Sequence, residues 1–450
     1  MLYRSLKFIF KAALKVFFRE YKVNSKTKIP SEGPLIVVSN HPSTFMDPII
    51  VASLLEQNVH FIAKGTLFNS VVRGWLMRNV MNSIPIHRKQ DNSGDKKMND
   101  AVFEQCFEFL ESKGTMIIFP EGTSILERKL RPIKTGTARI ALGAEARNDF
   151  NLGIRILCVG INYSNAPNFR SNVWINVEEL IHLSDYQEKY QDNDKEAVRL
   201  LTNKIQEQLE KNIIVTQDEE EDQFVKDIES IYKNEIILDL KLDPQLHSFN
   251  LTNGIIDAIN HFEVLDKNWL EGLKIKVSNY TKQLERYKLE DRFVSRGAKE
   301  DKNILRDSIM RLLFIGLGFS FYLYGLITNY LPYRISTLIA QKLTNSIEYV
   351  GPIKMTSGIF TFTMYYSLII YLFQILIAQG DWWWTVYFAI SLPIAGFFTL
   401  VYYHRFKNFR KHYKLISAFY KKPEEIGALL QERKSIVQDL DWAKDQYLRA

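Results

Sequence analysis

Three apolar segments near the C-terminus constrain this chain more than any other feature. Leu312–Leu331, Ile359–Ala378 and Trp382–Tyr403 are each about 20 residues long, enough to cross a bilayer core of ~30 Å as a helix. Inside a bilayer every backbone N–H and C=O must be satisfied within the segment, which leaves the helix as the available form. Only Gln379-Gly380-Asp381 separates the second segment from the third, so these two are expected to form a tight hairpin. Trp382, Trp383 and Trp384 then fall at the interface level, where indole rings are favoured. The basic run that follows, His404-Arg405-Phe406-Lys407-Asn408-Phe409-Arg410-Lys411-His412, is expected to remain cytoplasmic. If the N-terminal half is also cytoplasmic, the crossings between must be even in number. Leu312–Leu331, followed by Pro332 and Arg334, is therefore expected to be re-entrant, in-plane or buried against the hairpin.

Ahead of these segments the pattern is that of a water-soluble domain. The 450 residues suit about two or three domains. From Pro34 to Trp174 short apolar runs (Leu35–Val38, Val59–Ala63, Ser83–Ile86, Met116–Phe119, Ile154–Val159, Val173–Val177) alternate with helix-compatible stretches. The latter include Phe45–Leu55, Val72–Met81, Asp100–Lys113 and Gly136–Ala146. This predicts an α/β fold, a mixed sheet flanked by helices, with a helical region and C-terminal transmembrane helices after it. The expected organisation begins with a basic amphipathic membrane-associated helix over 1–29 and a domain over 30–215. A charged helical linker or lid follows over 216–305. A membrane domain over 306–405, with its hairpin at 359–403, and a basic then charged helical cytoplasmic tail over 406–450 complete the chain. In the first of these, Arg4, Lys7, Lys11 and Lys15 share a helical side, either to meet anionic headgroups or to pack on the domain. The acidic run Asp218-Glu219-Glu220-Glu221-Asp222 reads as a solvated face or linker.

A net charge of +7 and a pI of about 9.0 suit anionic partners. Zinc-type spacing, a helix-turn-helix signature and RNP-type aromatics are all missing from the sequence, so nucleic acid is not an expected partner. Cys106 and Cys158 sit in apolar surroundings and read as core thiols, favouring a reducing compartment. No cleavable signal peptide is expected at the N-terminus.

Chemistry concentrates after the strand candidates. Ser39-Asn40-His41-Pro42-Ser43-Thr44-Phe45-Met46-Asp47-Pro48 follows the first of them. A histidine can take a proton from an alcohol near neutral pH, and a carboxylate can fix its tautomer and stabilise the imidazolium. If Pro42–Met46 turns into a helix start, Asp47 folds back toward His41. A His–Asp pair at this spacing, taken alone, is more often structural than catalytic. Phe119-Pro120-Glu121-Gly122-Thr123-Ser124 follows a later strand candidate, with Pro120 fixing the turn and Gly122 permitting close backbone approach. Thr123 and Ser124 add hydroxyls to a possible anion nest, or simply cap a helix. Arg88, Arg131 and Lys134 are cations suited to phosphate, although for any one of them a surface charge is the commoner case.

Four ordered elements, Asn40-His41…Asp47, Ile84-Pro85-Ile86-His87-Arg88, Phe119 to Ser124, and Val159-Gly160-Ile161-Asn162-Tyr163, resemble the blocks of the glycerolipid acyltransferase superfamily. The resemblance covers roughly Pro30 to Trp174. It implies transfer of an acyl group from acyl-CoA or acyl carrier protein to a hydroxyl of glycerol-3-phosphate or 1-acylglycerol-3-phosphate. His41 is then the general base and Asp47 its orienting partner. Arg88, Glu121, Gly122, Thr123, Ser124 and Lys134 bind or shape the site for the phosphorylated acceptor, and Val159 to Tyr163 line its floor or acyl path. The resemblance implies no metal or redox cofactor; the expected localisation, which rests on the apolar segments and the charge pattern, is an integral membrane protein with its catalytic domain on the cytoplasmic face. Another lysolipid, or an amino-acid-linked lipid, is the alternative acceptor, and an inactive lipid-binding scaffold the alternative from another class. A lipid hydrolase fits less well, because no Gly-x-Ser-x-Gly elbow is present.

Three departures stand out. Five residues separate His41 from Asp47, where four are commonest in the family, an arrangement similar to yeast-type glycerol-3-phosphate and dihydroxyacetone-phosphate acyltransferases. Ser124 stands where many relatives have Arg, which shifts the expected phosphate contact toward Arg88 and Lys134. Gly160 stands where Pro is usual and is expected to change backbone freedom more than chemistry.

Overall fold

Each strand of a sheet buried on both sides must be apolar at every position, and Leu35–Val38 is. Leu35 and Val37 point to one face, Ile36 and Val38 to the other, and all four are fully buried. The computed structural model describes residues 2–79, 81–86, 96–239, 248–297 and 304–449. They fall into two units, Met1–Val215 with Ser336–Phe360, and Thr216–Ile335 with Thr361–Ala450.

The first unit begins with α1 (Leu2–Phe17), β1 (Glu20–Ser25), β2 (Leu35–Ser39), α2 (Met46–Leu54), β3 (His60–Lys64), α3 (Val71–Asn79) and β4 (Ser83–Ile86). It continues with α4 (Lys96–Glu111), β5 (Thr115–Ile118), α5 (Gly136–Arg147), β6 (Arg155–Tyr163), β7 (Asn172–Val177), β8 (Ile181–His182), α6 (Gln187–Asp192) and α7 (Asp194–Asn212). The strands form one mixed sheet in the order β1-β7-β6-β2-β5-β3-β4, with β8 also on β6. β6 meets β7 and β8 antiparallel, and the other neighbours run parallel. One face is covered by α4, α5 and α7, through Cys106, Leu110, Ile140, Leu201 and Ile205. The other is covered by α1 and α2, through Leu14, Phe17, Met46, Ile50 and Val51. Burial pushes the Cys106 thiol up to about 12, as expected of an inert core thiol.

The six expected strands all form. β1 was not expected, because Glu-Tyr-Lys-Val-Asn-Ser is polar; it lies at the sheet edge, where one side of the backbone meets solvent. Gly160 serves space rather than freedom. A Cβ there would lie 2.4 Å from the carbonyl oxygen of Asn212, at the end of α7. That carbonyl also accepts from the side-chain amides of Asn162 and Asn176, at 2.8 and 2.9 Å.

α1 is two-sided. Its inner side enters the core, and Lys7 leaves the basic row to donate to the carbonyls of Leu55 and Gln57, capping the C-terminal end of α2. Its outer side exposes Arg4, Phe8, Ile9, Lys11, Lys15 and Val16.

The second unit is helical: α8 (Glu219–Asp239), α9 (Ser248–Leu265), α10 (Lys267–Tyr287), α11 (Asp291–Gly297) and α15 (Pro423–Tyr447) form a bundle. The C-terminal segment is thus part of this bundle and not a detached tail. Arg433 of α15 is buried and held by Asp291 at 2.8 Å and Glu235 at 3.2 Å, and Tyr280 donates to Asp291 at 2.7 Å. The acidic run opens α8, where Asp218 caps the N–H of Glu221 at 2.8 Å and carboxylates suit the helix dipole.

Among the described residues, three helices are long and apolar enough to cross a membrane: α12 (Ile304–Leu343), α13 (Ile347–Leu376) and α14 (Trp382–Lys421). Leu312–Leu331, expected to be re-entrant, in-plane or buried against the hairpin, is part of one continuous helix that packs on α14 of that hairpin. α12 continues through Pro332, since proline removes one ladder bond and an apolar helix tolerates it. Small residues bring α12 against α14: a Cβ on Gly325 would lie 2.3 Å from the carbonyl oxygen of Ala395. Phe373 and Phe388 stack with centroids 4.1 Å apart, closing the expected hairpin.

The segment Ser336–Phe360, which the sequence suggested was all membrane domain, belongs to the first unit. Met355 is buried in the core that α1 and α2 share. A Cβ on Gly351 would lie 2.3 Å from the carbonyl oxygen of Ala166, and the ammonium of Lys354 donates to the Pro167 carbonyl at 3.1 Å.

Candidate active site

β2 and β5 are parallel neighbours, so the loops that leave their C-terminal ends lie side by side. The β2 loop carries His41 and leads into α2, whose first turn holds Asp47; the β5 loop carries Glu121 to Ser124. A carboxylate in the first turn of a helix is favoured by the helix dipole.

Nδ1 of His41 lies 2.9 Å from Oδ2 of Asp47. Asp47 is fully buried and collects two further donors: the Ser43 N–H on Oδ2 at 2.7 Å, and the Tyr163 hydroxyl on Oδ1 at 2.6 Å. The carboxylate accepts at Nδ1, so that nitrogen carries the proton and Nε2 keeps its lone pair for an incoming proton. Burial, and then the Asp47 carboxylate, push the Tyr163 phenol well above its ordinary value, so it stays protonated and donates. Phe119 stacks on the His41 ring with centroids 4.2 Å apart, fixing its plane.

Glu121 reaches across from the β5 loop. Its Oε1 accepts from the His41 N–H at 2.9 Å and its Oε2 from the Arg131 N–H at 3.2 Å. Both oxygens therefore hold backbone of this chain, one of them at His41. Burial pushes the Glu121 carboxyl above the ordinary glutamate value, opposed by those two N–H donors. Asn40 makes a two-point clamp on β6, accepting from the Ile161 N–H at 2.8 Å and donating to its carbonyl at 3.0 Å.

Gly122 has φ +74°, and a Cβ on it would lie 2.7 Å from Nζ of Lys134. The structure thus brings Lys134 to the Gly122 turn, while the Lys134 N–H donates to the Pro120 carbonyl at 3.0 Å. Thr123 is exposed beside it. The hydroxyl oxygen of Ser124 accepts from the Thr44 N–H at 2.7 Å. The guanidinium of Arg131 pairs with Glu127 at 3.1 Å. Arg88, with His87, lies outside the described residues.

Tyr163 and Asn40 were quoted within their blocks but given no role of their own. Both act through partners about 120 residues away in sequence, at separations of 116 and 121.

Residues 20–162 match the family model described as Acyltransferase. That span holds every described member of the His41–Asp47–Glu121 constellation. Residues 20–162 are an acyltransferase domain of the glycerolipid acyltransferase superfamily. The chain is 37% identical, over 112 residues, to glycerol-3-phosphate O-acyltransferase 2 of Saccharomyces cerevisiae, covering 25% of this chain and 15% of that protein. It is 30% identical, over 132 residues, to the chloroplastic 1-acyl-sn-glycerol-3-phosphate acyltransferase BAT2 of Brassica napus, covering 29% and 36%. A longer match, 24% over 317 residues, joins 69% of this chain to 39% of glycerol-3-phosphate O-acyltransferase 1 of Saccharomyces cerevisiae. The aligned parts span 15% to 39% of these relatives' own lengths.

Proposed function

We propose that this chain is a membrane-bound O-acyltransferase that moves a fatty acyl group from an acyl thioester to a hydroxyl of a phosphorylated glycerol. The observation that carries the reading is the buried Asp47 carboxylate, with three donors on it, one of them the His41 ring that it orients. In the reaction, Nε2 of His41 takes the proton of the acceptor hydroxyl as its oxygen attacks the thioester carbonyl. The tetrahedral intermediate then expels the thiolate, which takes the proton back from His41. Asp47 stabilises the imidazolium in between. No protein nucleophile is required, and the donor is acyl-CoA or acyl carrier protein.

Glycerol-3-phosphate is the favoured acceptor, supported by the five-residue spacing of the pair and by the two yeast relatives, both named as glycerol-3-phosphate O-acyltransferases. 1-Acylglycerol-3-phosphate stands second, supported by the plant relative. Lys134 beside the Gly122 turn is the described cation best placed for the acceptor's phosphate, and Arg88 is a second candidate. The outer side of α1, with Phe8, Ile9 and Val16 among Arg4, Lys11 and Lys15, suits the surface of an anionic bilayer. The catalytic domain is assigned to the cytoplasmic face, the side that the basic run 404–412 also favours.

The test uses the purified full chain with labelled acyl-CoA, offered in turn with glycerol-3-phosphate, dihydroxyacetone phosphate and 1-acylglycerol-3-phosphate. Labelled monoacyl product from the first acceptor and its loss in His41→Ala are expected. Full turnover by His41→Ala with any acceptor would overturn the general-base role.

A further inference from the structure

The turn between His41 and Asp47 contains a residue in a conformation it does not favour. Thr44 has φ +36°, the left-handed region, where a β-branched side chain is a genuine outlier. Such a residue persists only where its surroundings over-determine it. Two of the three departures noted in the sequence meet at this point. The turn is one residue longer than the common form, and Ser124, in place of Arg, accepts the Thr44 N–H at 2.7 Å.

A second restraint comes from α13. In an α-helix the carbonyl of Glu348 would accept from the N–H of residue 352, four positions on. That residue is Pro352, which has no N–H, so the Glu348 carbonyl has no ladder partner. The hydroxyls of Ser43 and Thr44 donate to it instead, each at 3.3 Å. The Ser43 N–H in turn donates to Asp47, so the restraint is one residue from the catalytic carboxylate.

We propose that Ser124 and the proline-freed carbonyl of Glu348 are a two-point clamp that holds the long catalytic turn in its left-handed form. Ser124 is a positioning residue that acts through Thr44, and the first turn of α13 is part of the catalytic apparatus. Without the clamp the turn relaxes toward ordinary backbone angles and Asp47 leaves the His41 ring. The inference rests on the general-base role of His41.

The test is a set of variants of the full chain in phospholipid nanodiscs, assayed with acyl-CoA and the acceptor that the wild type uses. Ser124→Ala is expected to lower kcat roughly tenfold, within the range of a released outlier conformation, with the acceptor KM unchanged. Thr44→Gly in the Ser124→Ala background is expected to recover most of the loss, because glycine takes a positive φ without restraint. Pro352→Ala returns an N–H to the ladder and competes for the Glu348 carbonyl. It is expected to lower kcat while leaving the melting temperature equal or higher, which a merely structural proline would not do. A raised acceptor KM in Ser124→Ala, with kcat intact and no rescue by glycine, would make Ser124 an acceptor contact and overturn the proposal. Wild-type kcat in both Ser124→Ala and Pro352→Ala would overturn it as well. His41→Ala separates the two levels: an active His41→Ala defeats the parent reading, whereas an inactive one beside fully active Ser124→Ala and Pro352→Ala defeats the clamp alone.

Discussion

Tyr163→Phe removes one oxygen atom and changes little else. Phenylalanine keeps the ring, so packing in the face shared by α1 and α2 is retained, and the lost partner is the hydroxyl that donates to Oδ1 of Asp47 at 2.6 Å. Asp47 is fully buried, so water is poorly placed to substitute. A hydrogen bond to a charged group is worth about 1.5–3 kcal/mol. If that loss falls wholly on the transition state, where Asp47 faces an imidazolium, kcat drops roughly 10- to 150-fold at 1.36 kcal/mol per decade. Steady-state turnover of Tyr163→Phe, alone and in the His41→Ala background, checks the route of the effect. A residue acting through Asp47 and His41 has nothing left to do once His41 is gone, so the second substitution should leave the residual rate unchanged. The destabilisation on heating should persist in both backgrounds. Wild-type kcat in Tyr163→Phe, or an equal further drop in the His41→Ala background, would refute the assignment of Tyr163 to the catalytic pair.

Three further substitutions test neighbouring parts of the same unit. Glu121 is raised by burial above its unfolded value near ~4.3, so the folded chain holds that proton more tightly. The group's contribution is therefore fullest below the unfolded value and declines as pH rises through the raised one. The melting temperature of wild type relative to Glu121→Gln should fall across that window, and a difference independent of pH would contradict it. Gly351→Ala forces a Cβ to 2.3 Å from the Ala166 carbonyl, an overpacking of about 1–3 kcal/mol that lowers both melting temperature and kcat. Gly358→Ala, whose Cβ meets open space, should leave both unchanged or raise the melting temperature. Equal behaviour of the two alanines would remove α13 from the first unit.

What could be read from sequence and what could not divide by range of interaction. Strands β2 to β7 were legible because each is an apolar run whose burial is set locally. The polar edge strand β1 was not, since its pairing with β7 depends on residues 152 positions away. His41 and Asp47 were legible as types at a spacing, and so were Glu121 and Gly122. Their partners were hidden by separations of 80 to 305 residues: Glu121 on the His41 N–H, Ser124 on Thr44, and the Glu348 carbonyl on Ser43.

Another long-range contact, Tyr163 on Asp47, nonetheless carried a usable signal. Along β6 the odd positions Leu157, Val159 and Ile161 share the face covered by α2, and the even positions Ile156 and Cys158 share the other. Parity puts Tyr163 on the α2 face, and Asp47 stands in the first turn of α2. β6 pairs with β2 in parallel, so the ends of both strands and the start of α2 converge at one edge of the sheet. A tyrosine at the last odd position of β6 has its hydroxyl directed to the place where a buried carboxylate needs a donor. Strand parity, helix order and the demand of a buried charge together select Tyr163 over Asn162, whose amide on the opposite face is occupied with Asn212.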